Sequence, residues 1–137
     1  MLDGYAGTGA VGIEALSRGA AHVTFIEKDR RAAALIDENL AVCGVKADYT
    51  IEVGDVENVL RRLGRTFDLI WLDPPYDLAD VGKALEAAAR VLDPAGLVIL
   101  ERATRREPDV PASLSRVRDV KSGDSTLTFL TLCLPER

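Results

Sequence analysis

Short apolar runs alternate with amphipathic stretches along this chain, and glycine and proline mark the changeovers. His22–Glu27 (HVTFIE), Tyr49–Val53, Phe67–Leu72 (FDLIWL) and Leu97–Leu100 are rich in β-branched and aromatic residues, as strands of a buried sheet are. Between them the spacing predicts helices over Ala10–Ser17, from an N-cap at Asp29 to about Cys43, over Val56–Leu63 and over Ala79–Leu92. Gly19 and Gly44 stand in the stop positions of the first two. On the second helix Ala32, Leu35, Ile36, Asn39, Leu40 and Cys43 share one face. Gly54-Asp55 and Asp93-Pro94-Ala95-Gly96 read as turns. Strands separated by helices predict right-handed crossovers, and so a parallel sheet with helices on both faces.

Towards the C-terminus the period changes. Leu114–Lys121 and Thr126–Leu132 alternate apolar and polar residues around Ser122-Gly123-Asp124-Ser125, which predicts an antiparallel hairpin closing one edge of the sheet. The expected fold is one domain over residues 1–137, a three-layer Rossmann-like α/β sandwich, mostly parallel. Its first strand is a stub. Only Met1 and Leu2 precede Asp3, where a strand ordinarily has about 5–6 residues.

Composition narrows the class. A net charge of −5, from 22 acids against 17 Lys plus Arg, speaks against a protein that grips phosphate backbones unspecifically. No apolar run approaches bilayer length, and the opening residues do not read as a signal peptide, so a cytoplasmic location is expected. Cys43 and Cys133 are too few for a disulfide scaffold and read as buried or idle thiols. One His and no cysteine pair at ligand spacing predict no metal site, and a monomer is expected.

The chemistry begins at Asp3-Gly4-Tyr5-Ala6-Gly7-Thr8-Gly9, where the first strand hands over to the first helix. Glycines there let backbone approach a ligand, and the helix start offers free N–H groups. Glu27 closes the next strand, where an acid can accept both hydroxyls of an adenosine ribose. NAD and S-adenosylmethionine both carry adenosine. Gly7, Gly9 and Gly12 complete G-x-G-x-x-G and favour a dinucleotide. Asp3 argues the other way, since a carboxylate suits an ammonium and is awkward beside a pyrophosphate.

Asp73-Pro74-Pro75-Tyr76 follows FDLIWL at the carboxyl edge of the sheet. Two prolines remove two backbone donors and leave a rigid wall of carbonyl acceptors. With the Asp73 carboxylate, that wall can accept both hydrogens of an exocyclic amine and aim its lone pair, while Tyr76 stacks on the attached base.

These motifs, with Glu27-Lys28-Asp29 and Gly54-Asp55, resemble those of the S-adenosylmethionine-dependent amino-methyltransferases. The stretch Gly12-Ile13-Glu14-Ala15-Leu16-Ser17-Arg18-Gly19-Ala20 and the closing hairpin are similar to the bacterial enzymes that methylate N2 of a guanine in small-subunit ribosomal RNA. The resemblance implies S-adenosylmethionine as cofactor and ribosomal RNA or the small-subunit particle as partner. It implies that Asp3, Tyr5, Ala6, Gly7, Thr8 and Gly9 hold the methionine part. Glu27 would bind the ribose, Lys28 would flank the adenine, and Asp55 with Val56 would read the adenine amine. Asp73, Pro74 and Pro75 would receive the target amine, with Tyr76 on a flipped base. In that family a basic segment, a hairpin and a full first strand precede the glycine loop, so Met1 is expected to lie inside a longer reading frame.

Other residues read blandly. His22 is expected at the surface of an edge strand, Trp71 in packing under the site, and Arg102, Arg105 and Arg106 either solvated or on phosphates. The same chemistry on DNA or another base, a cofactor-binding but inactive interaction module, and, more distantly, a NAD-dependent dehydrogenase stay open as alternatives.

Overall fold

The computed structural model describes residues 1–75 and 81–133. Along the described chain run β1 (Leu2–Gly4), α1 (Ala10–Ser17), β2 (Val23–Glu27), α2 (Arg30–Val42), β3 (Tyr49–Val53) and α3 (Val56–Arg62). They are followed by β4 (Phe67–Leu72), α4 (Val81–Arg90), β5 (Leu92–Ala103), β6 (Leu114–Ser122) and β7 (Ser125–Leu132). One seven-stranded sheet joins the strands in the order β3-β2-β1-β4-β5-β7-β6. β1 to β5 are parallel, and the β6–β7 hairpin runs antiparallel beyond β5, as expected. The winding direction reverses between β1 and β4, and in open α/β sheets a crevice at the carboxyl ends of the strands opens at that point.

β1 has only three residues, yet it is central. Leu2, Asp3 and Gly4 pair with Thr24, Phe25 and Ile26 on one side and with Ile70, Trp71 and Leu72 on the other. All three are buried. Side chains alternate across the sheet, so Val23 and Phe25 join Ile13, Ile36 and Leu40 beneath α1 and α2. Ile26 goes to the opposite core with Leu72, Leu85, Leu100 and Leu130. The α1 layer sits close to β2 because position 12 has no side chain. A Cβ on Gly12 would overlap the Phe25 ring and come within 2.9 Å of Val23 Cγ1.

Several expectations are corrected. On α2 the buried stripe is Ala33, Ile36 and Leu40; Leu35 is 39% exposed and Cys43 is exposed. Asn39 Nδ2 donates to the Thr8 carbonyl at 2.9 Å, so that flank of the helix faces the glycine loop rather than the core. Cys133 is exposed too, and the buried-thiol alternative falls for both cysteines. The alanine-rich helix ends at Arg90, because the Val91 carbonyl accepts from Phe67 N–H and Leu92 pairs with Phe67. Ala79 lies outside the described residues. Asp93–Gly96 is a bulge inside β5 rather than a turn before it: Leu92 faces Phe67 while Leu97 faces Leu69. His22 precedes an interior strand, not an edge one, and is half-buried with Nε2 3.2 Å from Thr50 Oγ1.

Arg102 leaves the basic cluster. Its side chain is 7% exposed and donates to Thr128 Oγ1, to the Ala103, Thr104 and Arg106 carbonyls and to Asp119, tying β5 to the hairpin. Arg105 and Arg106 remain exposed.

Replacing Gly12 by Ala should cost about 1–3 kcal/mol of unfolding free energy, the usual penalty of overpacking. Gly64→Ala, where an added methyl meets open space, should change the urea midpoint little. Equal midpoints for the two variants would refute the close α1–β2 contact.

Candidate active site

The crevice at the β1–β4 switch point is built from the loop that leaves β1. Tyr5, Gly7 and Gly9 all have left-handed backbone, at φ 61, 58 and 83°. Glycine takes this conformation freely; Tyr5 bears a cost of order 1–3 kcal/mol that the surrounding bonds must hold. Ala6 N–H donates to the Ile26 carbonyl at 2.9 Å and Gly9 N–H to the Ala6 carbonyl at 2.8 Å. Glu27 clamps the loop to the end of β2: Oε1 accepts from Gly7 N–H and Oε2 from Asp29 N–H, each at 2.8 Å. An ionised carboxylate has about four acceptor positions, so both oxygens keep capacity for further donors.

A cleft of about 360 Å³ opens here, lined by Tyr5, Glu27, Lys28, Asp55, Val56, Asp73 and Pro75. Every one of them is among the residues the sequence singled out. Asp55 is the N-cap of α3 and accepts from Asn58 N–H at 3.3 Å, which fixes its carboxylate at the cleft rim. Val56 behind it is buried. Burial, then the negative charges of Asp55 and Glu57, push the Tyr5 hydroxyl up to about 12.

Asp3 lies beneath the loop. It is 2% exposed, and its Oδ2 accepts from Gly12 N–H at 3.1 Å under the start of α1. Burial raises its pKa to about 7 against the lowering effect of the Gly12 bond, and the charges of Asp73 and Glu27 raise it further. Ala6, Gly7, Thr8 and Gly9 form the loop's backbone rather than the cleft lining.

Asp73 follows β4, with Pro74 half-buried and Pro75 exposed; Tyr76 lies outside the described residues. Burial on its covered side and the neighbouring Glu101 raise the Asp73 pKa to about 6. Glu101 is the residue that sequence reading missed. An acid follows the apolar run LVIL of β5 just as Asp73 follows FDLIWL of β4, and that parallel was the available signal. Trp71, two positions before Asp73, is half-buried on β4.

Known proteins share this fold. The structure matches that of the Escherichia coli protein yhhF with a TM-score of 0.87 at 27% identity, covering 98% of this chain and 77% of that one. A conserved hypothetical protein from Streptococcus pyogenes matches with a TM-score of 0.83 at 30% identity, covering 94% and 83%. By sequence, the chain is 30% identical over 127 residues to ribosomal RNA small subunit methyltransferase D of Haemophilus influenzae, 89% of this chain and 66% of that protein. The Escherichia coli K12 protein of the same name is 33% identical over 126 residues, 89% and 63%. The chain therefore spans just under two thirds of the length of these curated relatives. Sheet order, glycine loop and cleft define a Rossmann-like domain of the methyltransferase type. Within that class the family described as conserved hypothetical protein 95 matches residues 1–131, and the chain belongs to it.

The raised Asp3 pKa carries a sign. A carboxyl held above its unfolded value of 3.8 favours the folded state while it is protonated, so that stability is fully present below pH 3.8 and is lost as pH rises through about 7. In urea titrations from pH 4 to 8 the Asp3→Asn variant should lose less stability than the parent chain. At about 1.4 kcal/mol per pKa unit the gap at pH 8 should reach a few kcal/mol. Parallel profiles would show that Asp3 is not held protonated.

Proposed function

We propose that this chain binds S-adenosylmethionine in the cleft and transfers its methyl group to the exocyclic N2 of a guanine in small-subunit ribosomal RNA. One observation carries the reading: Asp73 and Pro75 stand at the end of β4 facing Glu27 and Asp55 across a single cleft. An adenosine-type acid pair and an amine-accepting segment thus share one space. The names of the Haemophilus and Escherichia coli relatives support methyl transfer to small-subunit ribosomal RNA.

The fit to the cofactor rests on charge and size. The cleft lies within the usual range for small ligands, about 300–1,000 Å³, and its ionisable lining is acidic apart from Lys28 and Tyr5. That suits a sulfonium cation. Glu27 uses its remaining acceptor positions on the ribose hydroxyls, Asp55 accepts from the adenine amine, and Val56 gives the ring an apolar floor. The glycine-loop backbone, kept open by Gly7 and Gly9, flanks the methionine part, with the buried Asp3 beneath it. When bound, the cofactor supplies an electrophilic methyl.

Asp73 and the Pro74 carbonyl accept the two hydrogens of the target amine, which directs the nitrogen lone pair towards that methyl. This is catalysis by position, and the prolines matter because a rigid acceptor wall loses little entropy on binding. Tyr76 is assigned the stacking role on the extruded base.

Calorimetric titration with S-adenosylmethionine beside NAD should show micromolar binding of the first alone. Binding of NAD instead would overturn the reading. Asp73→Ala should abolish transfer to small-subunit particles, naked RNA or DNA, whichever the parent chain methylates, and leave cofactor affinity nearly unchanged. Glu27→Ala should weaken the cofactor by about 1–3 kcal/mol, the loss of charge-assisted hydrogen bonds. Unchanged affinity would put the ribose elsewhere.

A further inference from the structure

Leu72 on β4 pairs with Leu100 on β5, so the residues that follow, Asp73 just past the end of β4 and Glu101 still within β5, stand side by side. Parallel strands in register send paired positions to the same face. Glu101 is half-buried, and its negative charge adds to burial in raising the proton affinity of Asp73. We propose that Glu101 is the positioning residue of the site: its carboxyl, held beside Asp73 by the strand register, sets how readily Asp73 takes up the proton released by the amine during methyl transfer. This rests on the methyl-transfer reading and deepens it.

The balance is simple. As the nitrogen–carbon bond forms, the donor's sulfur–carbon bond breaks and its electron pair stays on sulfur. The amine nitrogen gains positive charge while still holding both hydrogens, and one must leave as a proton. An Asp73 oxygen is the group that already accepts it as a hydrogen bond. An isolated aspartate, with a pKa near 4, is a poor acceptor at neutral pH. A second carboxylate beside it makes its ionised form costlier and so raises its proton affinity. Repulsion from Glu101 acts in that direction, together with burial, and places Asp73 at about 6.

The neighbouring charges do not undo this. Arg102 follows Glu101 but points to the hairpin, where Asp119, Thr128 and backbone carbonyls occupy its guanidinium. Leu127, the β7 partner of Glu101, is uncharged. From β1, the buried Asp3 is coupled electrostatically to Asp73. Glu27, Lys28 and Asp55 line the same cleft from β2 and the start of α3. Lys28 is the cation among these lining groups, and it is exposed.

The test has two parts, the first independent of turnover. Carboxyl carbon NMR titration of the ligand-free chain should give Asp73 a midpoint near pH 6. In Glu101→Gln that midpoint should fall towards the ordinary aspartate value of about 4. A midpoint unmoved by the substitution overturns the proposal. The second part is the pH dependence of single-turnover methyl transfer, where the acidic limb should move down with the NMR midpoint and cofactor KM should stay within about two-fold of the parent. An acidic limb that stays put while the NMR midpoint moves overturns the proton-acceptor role. If the parent chain binds the cofactor but transfers no methyl to any nucleic acid, the methyl-transfer reading falls and the acceptor role with it. The titration still decides whether Glu101 sets the proton affinity of Asp73.

Discussion

Four neighbouring parallel strands, β2, β1, β4 and β5, each bring an acid to the same edge of the sheet: Glu27, Asp3, Asp73 and Glu101. Like charges so close in a partly covered site must be offset by hydrogen-bond donors, by a proton or by a cation. The structure uses the first two. Glu27 takes the Gly7 and Asp29 N–H groups and Asp3 takes Gly12 N–H, while proton uptake is eased at Asp3 and Asp73, whose pKa values are raised to about 7 and about 6. The donors that relieve Glu27 and Asp3 come from the glycine loop and the first turn of α1, so the charge at the edge also holds the loop in its left-handed path. The cation is left for a ligand to provide.

The far side of β5 solves the opposite problem. Side chains alternate along the strand, so Arg102 emerges on the face away from Glu101. There Asp119, Thr128 and carbonyls of the following loop consume its donors, and Arg116 brings Glu107 and Asp119 into the same network. A buried guanidinium with every neighbour satisfied is a strut. Had it faced the other way, its charge would have offset the acids at the cleft.

Much of this was legible beforehand because it follows from local rules. Asp29 and Asp55 cap helices by accepting from N–H groups two or three residues on, and α1, β3, β4 and the hairpin turn fall where the pattern placed them. The misreadings are all tertiary. The α2 stripe turned because Asn39 found the Thr8 carbonyl, a partner 31 residues away. Asp93–Gly96 has turn composition, but Leu92 is captured by Phe67 and the turn becomes a bulge inside a strand. Glu101 was passed over for a related reason. An acid at a strand end acquires meaning only when register sets it beside another, and register is not written in one strand.

The glycine spacing shows how a motif can be correct and its first interpretation incomplete. Gly7, Gly9 and Gly12 satisfy G-x-G-x-x-G, which in dinucleotide folds lays a pyrophosphate on the helix start. In this chain the third glycine is needed for packing, since any side chain at position 12 would enter the Phe25 ring. Its N–H is given to Asp3, and the Gly7 N–H to Glu27. A diphosphate laid there would lose two of its natural donors and meet two carboxylates instead. A ligand with an ammonium or sulfonium at that point meets the reverse situation, with its own charge relieving an acidic edge. The same three glycines therefore support a different class of ligand once the acids beneath them are counted.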